Sequence, residues 1–260
     1  MLQNLDKKVL FSGLVIATAF IILASAFKDN RPTCNNFIFN TYAYITFMTV
    51  WIVACNLYLI DYVKSNPKSN NNNKPGSTLL LVLSPINMII LLVLSFVLLY
   101  KLISTQSEQT FRKHSILLLF LSVFSIFTVP LTERIQQKNP QSLAQLTTTF
   151  FSIVVSASIF AFSFPNMIKN WWIFALLIAL IGIIIARITI SILGYSKNSQ
   201  ESLSLSTFSA IVFSFFIAYD TKIAAAAAKT CREGHADYIR YATNIFLDFL
   251  NLFSNLEDLS

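Results

Sequence analysis

Two aspartates stand where carboxylates are seldom tolerated. Asp248 lies near the middle of the apolar stretch YIRYATNIFLDFLNLFSNL (238–256), and Asp220 lies near the end of the preceding one, LSTFSAIVFSFFIAYDTK (205–222). An acid inside a membrane-length segment costs several kcal/mol and by default marks an ion path, a proton relay or a buried pair. The connection at 229–237 is short, so the two segments are expected to be antiparallel neighbours. Asp220 precedes that connection by about 9 residues and Asp248 follows it by about 11, which at about 1.5 Å per residue gives them similar depths. Two carboxyls meeting at one depth can share a proton, with coupled titration. The same oxygens suit a hard divalent cation such as Ca²⁺.

Helical spacing supplies them with polar company. Asn244, Asp248 and Asn251 recur at intervals of three and four, with Tyr241 and Asn255 extending the row, so the last segment carries a polar stripe. Such a stripe faces protein or water, because lipid offers polar groups no partners. On the preceding segment Ser206, Ser209, Phe213, Phe216 and Asp220 fall roughly on one face. A blander reading competes with ion or proton chemistry: the acids bond to hydroxyls or neutralise Arg187, which lies about two-thirds of the way along its own apolar run. Arg187 alternatively snorkels to the interface.

The elements that must position these residues follow from composition. The 260-residue chain is 55% hydrophobic and 12% charged, where a soluble domain averages about 25% charged. Eight apolar runs approach or exceed the ~20 residues needed to cross a ~30 Å hydrocarbon core: 9–27, 37–63, 78–103, 115–132, 147–164, 171–195, 205–228 and 238–256. Barrel strands would alternate apolar and polar residues, whereas LLIALIGIIIARITISIL (176–193) is apolar on nearly every face. The expected class is all-α, a polytopic membrane helical bundle with no soluble domain. The run 9–27, preceded by Lys7 and Lys8 and ending ILASAF, also resembles a secretory signal, but its length favours a retained helix.

Other features exclude more than they suggest. The net charge of +7 is scattered over loops, with no basic stripe for nucleic acid. Lys and Arg are equally numerous in alternate loops, so the positive-inside rule leaves the orientation open. Cys34, Cys55 and Cys231 are far apart and show no ligand spacing, so no disulfide framework is expected. His114 and His235 are single, and no nucleophile lies near a base and an orienting acid, so no enzyme is expected. The asparagine-rich KSNPKSNNNNKPGS (64–77) reads as a solvated linker.

At the same acidic residues the chain resembles the transmembrane Bax inhibitor motif family, nearest its lifeguard-type branch. The resemblance rests on Tyr219, Asp220 and Thr221 closing one helix, followed by ADYIRYATNIFLDFLNLF (236–253) as the last. Softer likenesses lie in RKHSILLLFLSVFSI (112–126) and in the stretch 142–185. The resemblance implies seven helices, six around a central last one, so that residues 1–36 are an extra N-terminal transmembrane segment, or a signal, with its loop, and residues 37–260 the family's membrane domain. It further implies that Asp220 and Asp248 form a pH-sensitive latch, and a tentative Ca²⁺ site, on a calcium leak of an intracellular membrane, either ER/Golgi or mitochondrial inner membrane. Asn244, Asn251 and Arg187 are the expected supporting residues. A basic residue that some members place on the second family helix is missing; the matching run offers Ser84, Pro85 and Asn87, which leaves Arg187 as the candidate substitute. The tail SNLEDLS is acidic where many members are basic.

Three functional expectations follow. One is a passive, pH-gated calcium leak with no bound cofactor beyond the transported ion. A second is a non-conducting structural subunit of a larger membrane assembly. Control of cell death through partner binding is a third, adaptor-like role. The implied partners are the lipid bilayer and other membrane proteins.

Overall fold

The computed structural model describes residues 2–29, 31–65, 85–193 and 200–260. Within them the chain forms α1 (Leu2–Ala26), a small hairpin of β1 (Phe27–Lys28) and β2 (Arg31–Pro32), then α2 (Phe37–Ser65), α3 (Pro85–Ser104), α4 (Thr110–Gln137), α5 (Pro140–Ser163), α6 (Trp172–Ile192), α7 (Gln200–Lys229) and α8 (Tyr238–Leu259). Among the described residues every apolar run is helical, and the protein is an all-α polytopic bundle. The asparagine-rich linker beyond residue 65, and residues 78–84 of the third run, lie outside the described residues.

Several helices run past the apolar boundaries read from sequence. α4 covers 110–137 where the run was 115–132, and α7 starts at Gln200 rather than near 205. Backbone hydrogen bonding continues wherever the chain stays helical, whereas hydropathy ends with the hydrocarbon. α5 shows how an end is fixed: Asn139 caps it, its side chain accepting from Ser142 N at 2.7 Å, and Pro140 occupies the first turn, where no N–H is needed.

Among the described residues seven of the eight helices are long and apolar enough to cross a membrane, and α8 is the exception. Its 22 residues span about 33 Å, but Arg240, Asp248, Glu257, Asp258 and three asparagines make it too polar to meet lipid unaided. The expectation that this last run qualifies by its own hydropathy is corrected accordingly. Burial compensates for polarity: Ala242, Ile245, Phe246 and Leu252 are wholly inaccessible. α3 and α6 show the opposite character, with Ile89, Ile90 and Val93 and with Phe174, Ile178 and Ile185 exposed as lipid-facing surface.

The chain forms two compact units, residues 1–136 with 231–240 and residues 137–230 with 241–260. In the first, α1 packs against α2. Lys8 pairs with Asp61, Ser12 meets Tyr58 at 3.2 Å, and Ser25 donates to Asn40 Oδ1 at 2.7 Å. α2 holds α4 through polar contacts, Asn56 Nδ2 donating to Thr128 and Thr132 at 2.8 and 2.7 Å and the Tyr44 hydroxyl lying 2.6 Å from His114 Nε2.

The 231–240 segment joins this unit through a disulfide. Cys34 and Cys231, 197 residues apart in sequence, are bonded with Cα atoms 5.8 Å apart. This overturns the expectation of no disulfide: sequence distance is no guide once the loops before α2 and before α8 are folded side by side. Their backbones also meet directly, since Gly234 N donates to Pro32 O at 2.9 Å and Cys34 N donates to Glu233 Oε1 at 3.2 Å. Gly234 adopts φ +81°, which a residue without Cβ takes up freely.

Asp237 completes the start of α8. Its Oδ1 accepts from Arg240 N at 3.2 Å, an N-cap, and its Oδ2 lies 2.7 Å from Lys113 Nζ. Lys113 is 1% exposed and also donates to Thr105 O at 2.8 Å. The charge is buried, so removing one partner strands the other. Lys113→Ala is expected to lower stability by about 3 kcal/mol, the low end for a broken buried pair because Asp237 keeps some water contact. The midpoint of thermal unfolding in detergent checks this, and an unchanged midpoint would show that the pair adds nothing to stability.

Candidate functional site

The second unit is built on an aromatic and aliphatic core that ties α5, α6, α7 and α8 together. Leu146 and Val154, Leu176 and Ile183, Val212, Phe213, Phe216 and Ile217, and Leu252 and Leu256 belong to one buried cluster. Phe150 of α5 meets both Phe249 and Phe253 of α8 edge-on, with ring centroids 5.7 and 5.3 Å apart, the arrangement that ring quadrupoles favour. Phe249 and Phe253, four residues apart, share one face of α8 beside the polar row, so this packing helps to set the rotation of α8 about its axis.

The structure places Asp220 and Asp248 as neighbours on α7 and α8, close enough for their side chains to interact. Asp248 is 8% exposed, and its Oδ2 is buried with no hydrogen-bond partner. Two neighbouring carboxyls can share a proton, whereas two carboxylates offer only acceptors. The face of α7 beneath Asp220 is buried as its spacing predicts, with Ser206, Ser209, Phe213 and Phe216 all inside.

The supporting residues divide. Asn244 is half-buried. Asn251 is exposed, and its amide donates to Leu247 O of its own helix at 2.8 Å, so it turns away from the pair. Arg187 does not neutralise either aspartate. It reaches the C-terminal end of α8, where it contacts Asn255, lies 3.5 Å from Ser206 Oγ and stands 3.7 Å from Asp258. Lys222, two residues beyond Asp220, donates to Ile168 O and lies 3.5 Å from Asn170 Oδ1. Both cations near the pair in sequence or expectation are thus engaged elsewhere.

The acidic tail also finds its counter-charges. Glu257, 5% exposed, lies 3.7 Å from Lys138, which further donates to Glu257 O at 3.3 Å and to Ser260 Oγ at 2.8 Å. α8 therefore ends in a clasp made with Arg187 and Lys138. Sequence reasoning missed this clasp, the Lys113–Asp237 pair and the disulfide. A signal for the disulfide was present, since both cysteines fall just ahead of helices whose preceding loops share a side in an eight-helix topology.

Two carboxylates are few ligands for a resident metal. Among the described residues no group of three or more His, Cys, Asp or Glu side chains is placed to hold one. The pair can neutralise a passing cation or a proton, and its oxygens are too few for the six or more that a bound Ca²⁺ takes.

These features define an integral membrane protein of helical-bundle type with a buried acid pair on its last two helices. The chain matches the family model described as Inhibitor of apoptosis-promoting Bax1 over residues 34–259, and it belongs to that Bax inhibitor family. α1 precedes the matched region. Comparison with curated proteins and with solved structures gave no match.

Arg187→Gln tests the clasp. The Arg187 side chain is 43% exposed, so the expected loss is small, about 1 kcal/mol or less after screening. Hydrogen exchange should quicken in the last turn of α8 and stay unchanged around Asp248. Equal quickening along the whole helix would show that the clasp also holds the acid pair.

Proposed function

We propose that the protein is a passive calcium leak of an intracellular membrane, gated by Asp220 and Asp248. The observation that carries this reading is the buried, unpartnered Oδ2 of Asp248 beside a second carboxyl. An orphaned buried acceptor costs about 1–3 kcal/mol, and more if charged. A proton shared by the pair lowers that cost while the path is shut, and a cation lowers it when the proton has left.

The sign follows from this balance. At low pH the shared proton binds the two carboxyls together and α7 stays docked on α8. As pH rises the proton is lost and two like charges face each other with their nearest cations committed elsewhere, so the helices separate and Ca²⁺ enters between the carboxylates. Membership of the Bax inhibitor family supports the reading at the level of a membrane protein of this kind. The exposed apolar faces of α3 and α6 are accounted for by lipid and call for no further subunit.

Reconstitution in liposomes containing a Ca²⁺ indicator tests it. Flux is expected to climb as the medium goes from acidic to mildly alkaline, at its steepest by about tenfold per pH unit, the limit for one titrating proton. Asp220→Asn and Asp248→Asn are each expected to flatten that profile, because an amide can bond to the remaining carboxyl at any pH. Flux and pH dependence untouched by both substitutions would end the proposal.

A further inference from the structure

The cross-link between the loops ahead of α2 and α8 bears on which way the chain lies in its membrane. Cys34 and Cys231 sit in loops that the backbone itself holds together, through Gly234 N to Pro32 O and Cys34 N to Glu233. The Lys113–Asp237 pair and the 2.9 Å contact of His235 with Glu108 fasten the same end. The two sulfurs are therefore brought together by the fold as a whole, and both cysteines are only half-buried, within reach of small thiols or oxidants. Cys55, the remaining cysteine, lies far along α2 and has no part in this arrangement.

A half-exposed disulfide persists where the surroundings are oxidising and is lost where glutathione and thioredoxin keep thiols reduced. Lys and Arg residues divide evenly between alternate loops, so charge gives no competing vote. We infer that the membrane face carrying Cys34–Cys231 lies in an oxidising compartment and that the N-terminal end of α1 lies in the opposite, reducing one. α1 crosses once between its start and Cys34. The inference depends on the disulfide and on α1 as a membrane span, and it does not depend on ion conduction.

The test uses the full-length chain with an epitope tag at its N-terminus. Intact cells are quenched in acid, free thiols are blocked with N-ethylmaleimide, and the unreduced protein is digested for mass spectrometry. A peptide pair joined through Cys34 and Cys231 is expected, and Cys34→Ser should abolish it and leave Cys231 alkylated. In sealed microsomes the tag should be digested by added protease without detergent. Both cysteines recovered as alkylated thiols from wild-type cells would overturn the inference, and so would a tag protected until detergent is added. Both decisive readings come from the wild-type sequence, so misfolding of the Cys34→Ser variant would alter neither of them, and neither measures Ca²⁺ flux.

Discussion

A carboxyl group removed from water must be protonated, paired or solvated by something else, and the architecture is organised around meeting that condition twice. Asp220 and Asp248 meet it through each other, which requires α7 and α8 to lie side by side at a fixed rotation. The rotation comes from aromatic packing, chiefly Phe150 wedged against Phe249 and Phe253. The axial position comes from the ends of α8. At its start Asp237 caps the helix and pairs with Lys113, and at its finish Arg187 and Lys138 hold Asp258 and Glu257. A helix too polar for lipid is thus fastened at both termini, leaving its centre as the place where a charge change has most effect.

The helices were legible because apolar length is a local property. Each of the eight runs could be marked from consecutive residues alone, and the two aspartates stood out because their setting contradicts their chemistry. Helix ends were less legible. Lys113 falls just outside the apolar run 115–132, yet it lies in the first turn of α4 with its ammonium buried. A cation just outside an apolar run looks the same in sequence whether it meets water or a partner contributed from far along the chain. Arg187 shows the same limit in reverse, since its run suggested a counter-charge for the aspartates and its actual partners belong to the last turn of α8. Spacing rules could not reveal the disulfide for a related reason: they apply to cysteines that are near neighbours in sequence, whereas the signal for this pair lay in helix order, which puts both loops on one side.

The family relationship and the residue-level reading inform different levels of the description. The match over 34–259 establishes the kind of protein, and the geometry shows what this chain has done with the pattern. It buries Asp220 and Asp248 beside each other, supplies its acidic tail with internal cations, and has a covalent tie at the head of the last helix.

The association of α1 with α2 bears on processing of the N-terminal segment. A protease cutting near Phe27 would release a peptide that supplies Lys8 to Asp61, Ser12 to Tyr58 and Ser25 to Asn40. Asn40 has no accessible surface of its own, so its carboxamide would lose the hydroxyl that donates to it and the Ser25 carbonyl that accepts from it at 3.2 Å. The segment is stitched to its neighbour at three depths along its length, and its removal would leave α2 with a newly bare polar seam.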